Sequence, residues 1–297
     1  MAPSSQVRMR GLLFVIVADI LWGTVFVASQ IGLRYTDPYS LTFLRFLVAA
    51  IVIGVLIILF DKKMGVLKQL RNRWLWLIGI IYGIAFVTQY VGQSFTSAPE
   101  ATIITNLDPI LIPPLAIALL KDKITRAQLL AVALGLLGLL LVASPGIMLS
   151  QVKLIGDALL FIATMAYALF TIFTKKFSVS SIGASFALIL IVTLVSLPTA
   201  LLLGGFNPYG LNIGIAGWIA IAYLGVACTV IAVTIYLRGL VAIKVSEAGV
   251  LFLIQVLVGL VLSGLLLGEF LTLIQTIGAA VILLALVFGV RLKRDAS

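Results

Sequence analysis

The chain has 297 residues, 63% of them hydrophobic and only 10% charged, with a mean hydropathy of +1.27. A soluble domain carries about 25% charged residues, so this chain cannot clothe a folded surface in polar groups, and lipid must be the solvent for most of it. One cysteine, Cys228, leaves no intramolecular disulfide to form, and the lack of histidine removes the commonest metal ligand and the usual neutral-pH general base. No cofactor and no metal are therefore expected. The net charge of +10 lies in short segments between apolar runs, which reads as a topology signal and not as a nucleic-acid surface.

A bilayer core of ~30 Å requires about 20 apolar residues in a helix. Ten such runs follow one another: Gly11–Leu33, Pro38–Phe60, Trp74–Ser94, Ala98–Leu120, Ala127–Ser144, Gly156–Thr174, Ile182–Gly204, Ile215–Leu237, Ser246–Leu267 and Thr272–Val290. Strand-like alternation is absent, and runs of this length in lipid must satisfy their backbone as helices. The expected fold class is therefore all-α, a polytopic membrane protein of ten transmembrane helices. The first run, behind Arg8 and Arg10, is longer than the core of a cleaved leader and is read as a span. Asp37 is placed to cap the second helix, with Pro38 at its first position where no amide is missed. Arg34–Asp37, Lys121–Arg126 and Gly268–Leu271 are short enough to force hairpins. The longest loops, Asp61–Arg73 and Pro145–Ile155, are too small to hold a separate domain.

Cations fix the orientation. With the N-terminus in the cytoplasm, 17 Lys and Arg fall on inner segments, Arg34 and Lys153 fall outside, and Arg45 lies within a span. That asymmetry predicts a cell-membrane, multi-pass protein with both termini cytoplasmic.

The chain also resembles itself. Pro99-Glu100-Ala101 matches Ser246-Glu247-Ala248 at an offset of 147, which also carries Leu107 to Ile254, Thr125 to Thr272 and Gln128 to Gln275. Trp76–Gly83 matches Trp218–Gly225, and Gly11–Trp22 resembles Gly156–Tyr167. The expected units are residues 1–148 and 149–297, each of five spans, so the second enters the membrane from the opposite side. Inverted repeats around a midplane site are the usual architecture of alternating-access carriers.

Leu21-Trp22-Gly23-Thr24, Leu44-Arg45-Phe46, Thr96–Ala101 with Asp108-Pro109, Gly156-Asp157 with Ala166-Tyr167-Ala168, Tyr223-Leu224-Gly225, Ser246-Glu247-Ala248 and Leu267–Thr272 occur in an order that resembles the EamA-type members of the drug/metabolite transporter superfamily. The resemblance covers nearly the whole chain. It implies helices 1, 3, 4, 6, 8 and 9 around a central cavity, helices 5 and 10 at the periphery, and transport, often export, of amino acids or related metabolites. Tyr167 stands where the family often has Trp, and Gln255-Val256 where it often has a Glu-Pro or similar pair.

Charge inside a bilayer costs several kcal/mol unless it is paired or faces water, so each intramembrane polar residue is informative. Asp19, ~12 Å from one face, and Arg45, ~10 Å from the other, lie at levels ~8 Å apart at about 1.5 Å per residue. They read as an ion pair locking two helices, or as a proton or substrate-carboxylate site. Asp108, near the midplane and followed by Pro109, Pro113 and Pro114, combines a carboxylate with carbonyls that proline leaves free, as at a hinge or substrate site. Glu100 and Glu247, related by the repeat, read as first-turn carboxylates favoured by the helix dipole, or as gate charges at opposite faces. Tyr82, Gln89 and Gln93 are spaced to share one face of helix 3, with Tyr90 beside them. Trp22, Asn106, Tyr167, Tyr223 and Gln255 complete the expected substrate pathway, while Trp74, Trp76 and Trp218 near span ends read as interfacial anchors. Gly79-x-x-x-Gly83 and Gly264-x-x-x-Gly268 read as close helix contacts.

The function expected is secondary active export of amino acids or similar small polar or aromatic metabolites by alternating access, with proton coupling through Asp108 or Asp19. The alternatives are a passive channel or facilitator, efflux of organic cations or drugs, and an intramembrane enzyme working through carboxylates. The first is opposed by the lack of a filter motif, the last by the lack of phosphate-loop or HExxH signatures. Expected partners are a small-molecule substrate and the lipid bilayer, no nucleic acid, and at most a weak homodimer of a monomeric unit.

Overall fold

A computed structural model of the chain describes residues 5–107, 110–111, 114–115, 118–119, 126–149, 151–177, 181–204, 213–240, 251 and 253–291. Every regular element among the described residues is helical: α1 (Ser5–Gly23), α2 (Val25–Leu33), α3 (Pro38–Met64), α4 (Val66–Gln69), α5 (Arg73–Gln93), α6 (Ala98–Thr105), α7 (Arg126–Leu149), α8 (Gln151–Lys176), α9 (Ile182–Leu202), α10 (Gly214–Gly225), α11 (Ala232–Leu240), α12 (Leu253–Leu262) and α13 (Leu273–Arg291). Two π-helical stretches, Val226–Ile231 and Ser263–Leu267, extend α10 and α12. Among the described residues six stretches are long and apolar enough to cross a membrane: Gln6–Leu33, Pro38–Phe60, Arg73–Gln93, Gln151–Thr174, Gly183–Leu202 and Gly214–Tyr236. Shorter apolar helices cover Val132–Val142, Ile254–Leu267 and Leu273–Ala285.

Local chemistry sets the helix starts. Asp37 Oδ1 accepts from the amides of Tyr39 and Ser40, both at 2.9 Å, and α3 begins at Pro38 as the sequence predicts. Asn72 caps α5 by accepting from the Trp74 amide, and Ser181 caps α9 through Ala184. Ser97 and Glu100 form a capping box at the start of α6, with Pro99 in its first turn. Two expectations change. The loop expected at Pro145–Ile155 is largely helix, because α7 runs to Leu149 and α8 begins at Gln151. The loop expected at Asp61–Arg73 is shortened by α3, which continues to Met64, and by α4.

The outer surface is greasy. Ile58 is 85% exposed, Ile215 82% and Leu202 81%, an arrangement stable only where the surroundings are themselves apolar. Inside, one apolar cluster joins α3, α5 and α9 around Phe46, Phe86, Ile189 and Val192. A second joins α2, α6, α7, α8, α12 and α13 around Phe26, Ile104, Leu160, Val256 and Ile282. A third ties α2, α3 and α10 through Leu41, Leu44 and Leu224.

Small residues bring backbones together. A Cβ on Gly138 would lie 2.8 Å from the Gly278 carbonyl oxygen, and one on Gly278 would lie 2.7 Å from that of Gly138, so α7 and α13 meet glycine to glycine. Gly92 of α5 and Gly156 of α8 make the same kind of contact. Gly79 and Gly83 face Ile191 and Val195 of α9, as a packing motif should. Gly264 and Gly268 do not form such a contact between helices: Gly264 lies against the Phe270 ring, and Gly268, at φ +68°, is the left-handed turn that ends the π segment.

Candidate functional site

Irregular backbone, buried charge and aromatic rings meet inside the bundle. The first apolar run is interrupted at Thr24, between α1 and α2, where the Thr24 hydroxyl turns back to the Leu21 carbonyl at 2.7 Å. Opposite it lies the π stretch Val226–Ile231. A π turn inserts one residue into an α-helix and so re-aims the side chains around it. The two irregularities are tied together. Trp22 Nε1 donates to the Cys228 carbonyl at 3.0 Å, the Thr24 and Tyr223 hydroxyls are 2.7 Å apart, and Cys228 Sγ donates to the Leu21 carbonyl at 3.4 Å. The Trp22 ring also packs on Tyr236 at 4.8 Å.

Thr229, carried by the π stretch, accepts from Arg45 Nε at 2.9 Å. Arg45 Nη1 donates to the Tyr90 hydroxyl, and the guanidinium carbon lies 4.8 Å from the centre of the Phe86 ring. Arg45 is only 2% exposed. Its ion pair with Asp19, expected from their levels in the sequence, is not formed. Asp19 is buried elsewhere, on α1, where its Oδ1 accepts from Gln255 Nε2 of α12 at 2.9 Å and its Oδ2 has no partner among the described residues. Residue count orders the two along their helices, but it carries nothing about the rotation of α1 and α3 about their axes.

The polar face expected on helix 3 divides among three neighbours. Gln89 Oε1 accepts from the Tyr167 hydroxyl of α8 at 2.5 Å. Tyr90 faces Arg45 of α3. Gln93 turns to α2, with Nε2 donating to the Phe26 carbonyl and to Gln30, and Oε1 accepting from Ser29 at 2.8 Å. Tyr82 stacks on Phe170 at 4.2 Å and meets Phe86 and Tyr167 edge-on. Trp22, Arg45, Tyr82, Gln89, Tyr90, Tyr167 and Tyr223 thus belong to one contiguous arrangement, with Thr24, Phe86, Cys228 and Thr229 as members that sequence reasoning missed. Thr24 directly follows the Trp22-Gly23 pair, the one sequence signal that pointed to it. Asn106 serves its own helix, donating to the Thr102 carbonyl at 2.8 Å where α6 ends. Asp108 and Glu247 lie outside the described residues.

A second polar assembly sits at the end of the bundle where α6, α8 and α13 begin. Glu100 pairs with Lys153 at 2.6 Å and accepts from Thr96 at 2.6 Å, from Ser97, and from Gln275 Nε2. Glu269, from the turn before α13, accepts from the Ala98 amide at 2.8 Å and so supplies the negative end of a cap to α6. Asp157, one turn along α8 from Lys153, is 4% exposed. Lys153, singled out as one of two cations on its side of the chain, is the partner that makes Glu100 more than a first-turn carboxylate.

No metal-holding group of three or more His, Cys, Asp or Glu occurs among the described residues.

The sequence pattern of the EamA-like transporter family matches residues 9–144 and again residues 154–291. The chain is 27% identical to a probable amino-acid metabolite efflux pump of Salmonella typhimurium (strain LT2), over 97% of this chain and 98% of that protein. It is 26% identical to an uncharacterized transporter of Archaeoglobus fulgidus, over 91% and 95% of the two chains, and 26% identical to one of Bacillus subtilis (strain 168), over 90% and 88%. A solved crystal structure at 19% identity shares the fold, with a TM-score of 0.69 over 97% of this chain and 98% of that one. With helices that clothe themselves in apolar side chains and a family pattern that fits both halves of the sequence, the chain belongs to the EamA-like transporter family: it is a multi-pass membrane transporter and not an enzyme.

Proposed function

We propose that the protein is a secondary active exporter of amino acids or similar small polar or aromatic metabolites, working by alternating access. One observation carries the reading. A one-residue irregularity at Thr24, at the junction of α1 and α2, and a π turn at Val226–Ile231 are bonded to each other in the bundle interior. π turns occur often at functional sites, and carriers use irregular helices at their substrate sites. The aromatic walls from Trp22, Tyr82, Phe86 and Tyr167 suit a solute with a planar or apolar part. The name of the 27% identical Salmonella relative supports the same substrate class.

In this reading the chain crosses the bilayer ten times, as units 1–148 and 149–297 of opposite orientation. The twofold match of the family pattern supports that division. The cation asymmetry supports cytoplasmic termini, which places the Glu100–Lys153–Glu269 assembly at the outer face as a gate. Proton exchange would pass through Asp108 or Asp19. The working unit is a monomer or weak homodimer.

Saturable counterflow of labelled aromatic amino acids in proteoliposomes, driven or stimulated by a pH gradient, is the expected outcome. Asp108→Asn should lower that flux at least about tenfold, the loss of roughly one charge-assisted hydrogen bond. Unsaturable conductance without counterflow would replace the carrier with a channel, and wild-type flux in the Asn variant would remove Asp108 from the mechanism.

A further inference from the structure

Arg45 is an enclosed cation that no acidic side chain among the described residues neutralises. Its Nε and Nη1 are taken by a hydroxyl of Thr229 and a phenol of Tyr90, neither of which carries charge at neutral pH, and its face rests on Phe86. Among the described residues, which do not include Asp108 or Glu247, no Asp or Glu pairs with it and no acceptor takes Nη2. A buried ion without a counter-ion costs several kcal/mol, and proteins normally pair one or give it water. Nearby is a second group of idle donors. Gln89 is 3% exposed, its Oε1 is occupied by Tyr167, and among the described residues no acceptor takes the hydrogens of its Nε2. Phe86 connects the two, 4.8 Å below the guanidinium and 5.5 Å from the Tyr167 ring that holds Gln89. Donors without acceptors, around one positive charge, describe the complement of an anion.

We infer that Arg45 is the anchor for the carboxylate of the transported solute, with Gln89 Nε2 as an auxiliary donor and the Phe86–Tyr82–Tyr167 rings against its apolar remainder. The planar guanidinium offers Nη1 and Nη2 as a fork that matches a carboxylate bidentately. Tyr90 and Thr229 hold the fork while the site is empty, and Tyr90 yields Nη1 when the carboxylate arrives. This rests on the export reading above and narrows its substrate to solutes bearing a carboxylate.

The test uses the full-length protein in proteoliposomes with three probes that share one ring: phenylalanine, its carboxamide, and phenylethylamine. Wild-type protein should exchange phenylalanine at least about 10- to 100-fold more effectively than either analogue, the span expected for hydrogen bonds to a charged group. Arg45→Gln should erase that preference, while Arg45→Lys, which keeps charge but loses the fork, should retain part of it. Gln89→Leu should lower the preference for the acid less than Arg45→Gln does. Wild-type exchange that treats acid, amide and amine alike overturns the anchor and leaves the export reading standing. Absence of exchange for all three, and for a wider amino-acid panel, overturns the export reading itself. An Arg45→Gln protein that is inserted and active with an unchanged preference for the acid shows that the cation is structural and ends the inference.

Discussion

Gly92 and Arg45 are residues whose neighbours allow almost nothing else. At Gly92 the limit is backbone: a Cβ there would lie 2.8 Å from the Gly156 carbonyl oxygen and 3.0 Å from the Leu160 amide nitrogen, neither of which can swing aside. Gly92→Val should therefore push α5 from α8 and destabilise the protein by about 1–3 kcal/mol, the usual range for overpacking. The check is a lowered unfolding midpoint in detergent, against Gly54→Val as control, since no atom lies within 4 Å of a Cβ at that position. Equal midpoints would mean that the two helices are not in contact. At Arg45 the limit is charge, and the enclosure that makes the residue costly is what the proposed carboxylate would relieve.

At the scale of elements, α10, its π turn and α11 form one continuous rod with a built-in change of register. Thr229 reaches Arg45 and the Cys228 carbonyl reaches Trp22 because of that extra residue. Deleting Ala227 should convert the π turn to α-helix and rotate the part of the rod beyond it by about 100°, one residue's share of a helical turn. Transport should fall more than about tenfold while membrane insertion, read from protease protection, is retained. Near-normal transport would show the π turn to be incidental. The rod itself was legible, because Ile215–Leu237 is an apolar run of spanning length. So was the start of α3, set by Asp37-Pro38. The π turn and the break at Thr24 left no pattern, because both depend on what lies opposite. The partners of Asp19 and Arg45 were illegible for a related reason. Sequence gives height along a helix from residue count, whereas azimuth in an all-apolar helix has no polar face to report it, and Gln89, Tyr90 and Gln93 ended on three different neighbours.

At the scale of the whole molecule the proposed cycle requires one end of the bundle to open while the other closes. Glu269 joins the turn before α13 to the start of α6, and Glu100 joins α6 to Lys153 of α8 and Gln275 of α13. A disulfide between Ala98→Cys and Glu269→Cys should freeze that end shut, stopping flux when oxidised and restoring it on reduction. Cys228, buried in the bundle, should not interfere. Undiminished flux in the cross-linked protein would exclude opening at this end.

The glycine contact between Gly138 and Gly278 has a consequence of another kind. Where two bare backbones touch there is no side chain to screen, titrate or swing aside, and beside that contact Gln275 Nε2 of α13, which also bonds Glu100, donates to the Val142 carbonyl of α7 at 3.3 Å. In the proposed cycle, release of the clasp around Glu100 would free Gln275 from one partner while leaving its bond to α7 and the glycine contact in place, so α7 and α13 would move as one body.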